Sequence, residues 1–406
     1  VCSSDLADPA WICADEGPWQ EEDGVRYRFC VYERAGESFD FDREIDRHGT
    51  NSLKYDFAAE LGKPADALPL WVADMDFPAP PAVREALRRV VDHGIFGYSG
   101  AKESYYEAAA AWFRDRFGWE TKREWLLTTP GVVFALAAAV RALTEPGDGV
   151  LIQPPVYYPF FSVATKNGRR VVENRLLYLE ERYEIDFEDF ERKLRDEKVK
   201  LFILCSPHNP VCRVWREEEL ARMGALCEKY GVYVVSDEIH CDLTLPPYKH
   251  IPFATVNEWT RNHTLTFMAP SKSFNMPGIS CSFCIVQNAT LCERFHIFME
   301  ASELEMGNVF SYTATAAAFS EGAEWLYQLK AYLQENIDFT AQFLEEHLPQ
   351  LRMIRPQASY LIYLDCRKLQ LPQDELVHLF IDDARLALND GTMFGKEGKG
   401  FMRLNV

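Results

Sequence analysis

The chain is 406 residues long, 48% hydrophobic and 13% aromatic, ample for a sizeable core in two domains or one large α/β unit. Its net charge of −19 argues against nucleic acid as a partner, and no apolar run is long enough to span a bilayer. The 11 cysteines, an odd number scattered through core-like segments, suit reduced thiols in a cytoplasm, and the start shows no secretory signal pattern.

The first 38 residues hold nine acids and three bases and no periodicity. They are expected to lie outside the fold, as a disordered acidic tail or as sequence foreign to it. Residues 39–70 are expected to complete a smaller domain. Residues 71–78, from Trp71 to Pro78, read as a buried strand that breaks at Pro78, Pro80 and Pro81. The spacing of Val83, Leu87, Val90 and Val91 predicts a helix over 81–92, and a second amphipathic helix covers 103–117. Between them, Gly94, Gly97 and Gly100 punctuate a loop that carries Tyr98. A strand over 126–129 runs into a turn at Gly131, followed by an apolar helix over 132–143. Next come a strand over 149–153, an aromatic turn with Tyr157, and a helix ending near Gly168.

Strand–helix alternation continues through apolar strands that end near Cys205, Ser236 and Met268. This predicts an α/β domain over 71–308, a mostly parallel central sheet flanked by helices on both faces. The pattern then changes. Helices over 313–330 and 332–347 lead to an alternating strand over 360–365, suited to a half-covered sheet. A helix over 375–383 and a strand over 400–406 finish a smaller α+β domain spanning 309–406. The sequence stops inside that strand, where one further helix is expected.

Three predicted strands run into polar residues: Asn209, Asp237 and Lys272. A lysine leaving a buried strand has its pKa lowered toward the nucleophilic range, which suits Schiff-base chemistry with an aldehyde cofactor. Each residue also has a plainer reading. Ser271, Lys272 and Ser273 fit a solvated loop, Asp237 a helix N-cap, and Asn209 with Pro210 a turn. Gly131, Val132 and Val133 open a helix whose first amides suit a phosphate, although such turns are common in α/β folds. Cys281 and Cys284 have a Cys-x-x-Cys spacing without a second pair, so they are read as buried structural cysteines and no metal site is expected.

With Asp46-Arg47-His48-Gly49-Thr50-Asn51-Ser52, the segment 71–78 and Ser236 through His240, these strand ends resemble the fold-type I pyridoxal-phosphate (PLP) enzymes. The finer wording is similar to one branch of the class I/II aminotransferase superfamily, the cystathionine β-lyase (MalY/PatB) type of C–S lyase. The resemblance runs from about Phe39 to the last residue. It implies the PLP-dependent transferase fold, with pyridoxal 5′-phosphate carried by Lys272, which would also remove the Cα proton. Asp237 would pair with the pyridine nitrogen, Asn209 with the ring's 3-oxygen, and Tyr157 would stack on the ring. His240 stands as a second polar neighbour, although a satisfied core histidine fits equally. Gly131, Val132, Val133 and Ser271 would hold the phosphate, with Ser280 where many relatives have an arginine. Arg403 would clamp the substrate carboxylate, with Ala73 beside the substrate. Tyr98 would reach the phosphate of a neighbouring subunit, which implies a homodimer with shared active sites.

The reaction implied is cleavage of L-cystathionine or a related cysteine S-conjugate to a thiol, pyruvate and ammonia. Amino transfer to a keto acid is the alternative. A ligand-sensing regulator of this superfamily would carry a basic winged-helix module first, which a net-acidic stretch of 38 residues does not fit. One departure stands out: Cys212 occupies the place of a family glycine after Asn209-Pro210. A positive φ there would strain the loop that holds Asn209.

Overall fold

The apolar strands assemble into a seven-stranded sheet in the spatial order Leu126–Thr129, Ser282–Ile285, Thr264–Met268, Tyr233–Asp237, Val199–Cys205, Gly149–Ile152 and Arg170–Glu173. All run parallel except Ser282–Ile285. Parallel neighbours need a crossover, and helices such as Pro159–Thr165 and Glu217–Tyr230 supply it. Two apolar clusters cover the faces, one including Leu136, Phe160 and Phe295, the other Phe190, Leu220 and Met223. Burial on both faces explains why these strands read as continuous apolar runs. Cys205 lies opposite Asp237, and Asp237 opposite Phe267, so the three polar strand ends emerge at one edge. That edge is where open parallel sheets place their ligands.

The computed structural model describes residues 11–22, 25–28, 30–34, 38–179, 182–304 and 306–406. It divides into two compact units, Val1–Arg43 and Glu44–Val406. In the first unit, Trp11–Glu16 pairs antiparallel with Cys30–Arg34 and Gln20–Glu22 with Val25–Tyr27, where the sequence shows no periodicity. Residues 1–10, part of the segment expected to lie outside the fold, fall outside the described residues.

In the second unit an antiparallel four-stranded sheet follows the large one, in the order Arg352–Ile354, Leu361–Asp365, Phe401–Asn405 and Asn389–Asp390. The short parallel pair Leu68–Pro69 with Leu386–Ala387 joins the earlier segment to this region, and Asn405 N–H bonds the Leu70 carbonyl. Leu361–Asp365 is buried at every position, where alternation predicts a half-covered strand. One set of its side chains packs with Ile337, Leu344 and Leu376, while Tyr363 on the other set joins Phe394 and Phe401.

Two further expectations are corrected. The helices expected to meet near residue 331 are Val309–Glu321 and Ala323–His347, with the break at Gly322. A Cβ on Gly322 would stand 2.4 Å from the Ala318 carbonyl oxygen and 2.5 Å from the Phe274 ring, so only glycine admits that ring. Residues 71–78 form no strand. Side chains from distant elements take their carbonyls instead. Arg403 bonds Trp71 O, Asn405 bonds Val72 O and Asp74 O, and Asn275 bonds Met75 O and Phe77 O. A backbone satisfied by side chains needs no ladder, and this strap lies across the edge of the large sheet where Lys272 emerges.

Candidate active site

A cavity of about 330 Å³ opens at that edge. Its wall includes Ala73, Gly131, Val132, Val133, Tyr157, Asn209, Asp237, His240, Ser271 and Lys272. Each position has a local cause. Asp237 closes an apolar strand, and its carboxylate accepts the Ile239 N–H at 3.2 Å, so it also caps the turn that follows. Lys272 is the third residue of the short helix Pro270–Ser273, which follows Thr264–Met268 after Ala269. Gly131 adopts φ +135° ahead of the helix Val132–Leu143, and no side chain caps that helix. Its first amides therefore face the cavity without an intrahelical acceptor.

Burial dominates the electrostatics. It lowers the Lys272 pKa to about 8, with Arg403 adding to the effect and Asp74 and Asp237 opposing it. Burial raises Asp237 to about 7, while the Ile239 amide and Lys272 pull the other way. Among the described residues, no cationic side chain forms an ion pair with Asp237. Burial, then Lys272 and Arg403, lower His240 to about 3, so its imidazole is neutral; its Nδ1 meets Ser359 Oγ at 3.1 Å. Burial likewise holds the Tyr157 phenol protonated.

Arg403 stands behind the wall. Its Nη1 donates to Asn209 Oδ1 at 3.1 Å, and its Nη2 to Asn389 Oδ1 at 2.7 Å and to the Trp71 carbonyl at 2.9 Å. Its Nε–H is buried without an acceptor among the described residues. Tyr98 lies away from this cavity and is fully exposed. Cys212 has φ +50°, so the residue in the family glycine's place does adopt a left-handed backbone. Ser280 also lines the cavity with φ +54°.

The lining fits pyridoxal 5′-phosphate. A buried carboxyl lacking a cationic partner suits a pyridinium nitrogen, uncapped helix amides suit a phosphate, and a buried amine of lowered pKa suits an aldehyde. The family model for aminotransferases class I and II matches residues 65–406. The chain belongs to that family, in its PatB- and MalY-type C–S lyase branch. Cystathionine β-lyase PatB of Bacillus subtilis (strain 168) is 45% identical over 366 residues, covering 90% of this chain and 95% of PatB. Protein MalY of Escherichia coli (strain K12) is 34% identical, covering 91% and 94%. The crystal structure of cystalysin from Treponema denticola, which contains a pyridoxal 5′-phosphate cofactor, superposes with a TM-score of 0.88 at 35% identity, over 91% of this chain and 94% of that one.

Sequence reasoning missed Cys205, Ile239, Phe134 and Cys281, which also line the cavity. Ile239, Phe134 and Cys281 each adjoin a residue it had named, and Cys205 ends a strand it had named, so extending each named segment by a position would find them. It gave no role to Tyr360, which is buried and reaches the same site by donating to the Ala73 carbonyl at 3.0 Å.

Proposed function

We propose that the chain is a pyridoxal 5′-phosphate-dependent carbon–sulfur β-lyase that converts L-cystathionine, or a related cysteine S-conjugate, to a thiol, pyruvate and ammonia. The observation that carries this reading is the meeting of Lys272, Asp237, Asn209 and the amides after Gly131 in one buried cavity, in a chain of the C–S lyase branch. When bound, the cofactor supplies an electron sink for the pair left at Cα, so that a thiolate can depart from Cβ.

The chain's own residues do the rest. Lys272 would hold the cofactor through its aldehyde and would serve as the base for the Cα proton; its lowered pKa makes the neutral amine accessible near pH 8. Asp237 would keep a proton on the pyridine nitrogen, and that cation would in turn relieve the cost of ionising a buried carboxyl. Asn209 would bond the ring's 3-oxygen, neutral His240 would be a second polar neighbour of the ring, and Tyr157 would lie against its face. Gly131, Val132, Val133 and Ser271 receive the phosphate. Arg403 binds the substrate carboxylate beside Ala73, its fork pre-oriented by Asn209, Asn389 and the Trp71 carbonyl.

The working unit in this reading is a cytoplasmic homodimer. Ile95, Phe96 and Tyr98 are exposed on one loop, which supports Tyr98 entering a neighbouring subunit's site. The eight cysteines from Cys205 to Cys366 are free thiols, and no helix among the described residues is long and apolar enough to cross a membrane. Residues 71–308 serve as the cofactor domain and residues 309–406, joined by the segment before 71, as the smaller one. Borohydride reduction of the loaded protein and peptide mapping should place the cofactor on Lys272, and L-cystathionine should yield homocysteine. Cofactor fixed to another lysine, or no thiol release, would overturn the reading.

A further inference from the structure

We propose that Tyr360 is a positioning residue for Lys272: its hydroxyl shares the Ala73 carbonyl with the lysine amine and so fixes where that amine rests when it is not joined to the cofactor. This inference rests on the reading of Lys272 as the cofactor lysine and Cα base. Lys272 Nζ donates to Ala73 O at 2.6 Å, and Tyr360 OH donates to the same oxygen at 3.0 Å. A carbonyl oxygen has two lone pairs, and these two donors fill both.

The acceptor is held still. Asn405 Nδ2 bonds the carbonyls on either side, Val72 O at 2.6 Å and Asp74 O at 2.8 Å. Arg47 and Lys54 pin Asp74 and Asp76 from the far side of the strap. Tyr360 is 1% exposed, and burial raises its pKa, so its phenol stays a donor at every working pH. A neutral lysine amine has two N–H bonds and one lone pair. Giving one N–H to a fixed carbonyl turns the lone pair away from the strap and toward the cavity.

The second donor has a further effect. A carbonyl that already accepts from a phenol holds an ammonium less tightly, so Tyr360 favours the neutral amine. The charged groups that act on Lys272 are Arg403 from the four-stranded sheet, Asp74 from the strap and Asp237 from the large sheet; His240 beside it is neutral. Tyr360 is the uncharged group that touches the same acceptor. Its ring also packs edge-on to His240 at 6.4 Å, a contact that phenylalanine would keep. Tyr360→Phe leaves no buried polar atom unpaired, because Ala73 O retains Lys272.

The test follows Lys272 labelling by an amine-acylating reagent against pH, in the full chain without cofactor, by peptide mass. Wild type should show a midpoint near 8. In Tyr360→Phe the midpoint should rise by about half a pH unit to one unit, kcat of the loaded enzyme should fall about tenfold, and KM should stay within about twofold. Borohydride trapping of the cofactor on Lys272 should persist in the variant. An unchanged midpoint and unchanged kcat in a loaded Tyr360→Phe enzyme would overturn the proposal. So would loss of cofactor loading in both Tyr360→Phe and Tyr360→Met, which would assign the ring a structural role. Failure to trap cofactor on Lys272 in wild type would instead sink the underlying reading.

Discussion

Arg403 Nη1 donates to Asn209 Oδ1 at 3.1 Å across 194 positions of sequence. The bond ties the Phe401–Asn405 strand of the four-stranded sheet to the segment that leaves Val199–Cys205 in the large one. Every hydrogen-bond partner of the guanidinium is neutral, namely Asn209, Asn389 and a carbonyl, so its charge is buried without a counter-charge. Burial accordingly lowers its pKa. In the proposed reading, a substrate carboxylate would supply the missing partner.

From this arrangement, Arg403→Ala should raise KM for L-cystathionine by roughly 10- to 100-fold, the usual weight of hydrogen bonds to a charged group. Arg403→Lys should recover only part of it, since a point charge cannot reproduce the planar fork. Steady-state kinetics on both variants, with cofactor loading verified, checks this. A KM unchanged in Arg403→Ala would move the carboxylate site elsewhere.

Asp237 links stability to cofactor. Its folded pKa of about 7 lies above the unfolded value of about 3.9, so the folded state binds the extra proton between those pH values. In the cofactor-free protein this group's contribution is therefore full below about pH 4 and is lost as pH rises through 7. Asp237→Asn should flatten that part of the profile and make the cofactor-free protein more stable at pH 8, while turnover falls by orders of magnitude. Denaturant melts at pH 5 and pH 8 provide the measurement, and parallel profiles for wild type and variant would contradict the assignment.

Cys212 offers a test of local strain. Its φ of +50° is unfavourable for any residue with a Cβ, yet its side chain is 2% exposed and buried in the loop. Cys212→Gly removes the strain and the buried sulfur together, whereas Cys212→Ala removes only the sulfur. Glycine should thus be the more stable of the two variants by about 1 kcal/mol, read from thermal melts. Alanine equal to or above glycine would show that the loop does not carry strain there.

Tyr98 is fully exposed, with Phe96 at 59% and Ile95 at 72% beside it. If its hydroxyl acts in another subunit's site, as proposed, Tyr98→Phe should leave the melting temperature of the protein nearly unchanged and lower kcat. Light scattering should give twice the chain mass. A chain-sized mass accompanied by full activity would exclude a shared site.

Much of the site was legible because parallel strands are buried on both faces and stop abruptly. Asn209, Asp237 and Lys272 each follow such a run, and sheet register alone brings them to one edge. The strap at 71–78 was misread because its mix of apolar residues imitates a strand, while the groups that bind its carbonyls lie far away, on Lys272, Asn275, Tyr360, Arg403 and Asn405. The helix break at Gly322 had a glycine to announce it, but the Phe274 ring that requires it is a tertiary fact. Tyr360 was illegible for the same reason: at the start of a buried strand a tyrosine looks like core.

The central claim is that the reaction ends in β-elimination rather than amino transfer. In the proposed reading both would begin with Lys272 taking the Cα proton, so the difference lies in where the products go. The most direct measurement supplies L-cystathionine to the loaded enzyme without any keto acid and counts pyruvate released per active site. The account predicts sustained release, many pyruvates per site, with ammonia and homocysteine in equal amounts. A burst of at most one turnover per site that resumes only when a keto acid is added would contradict it and identify an aminotransferase.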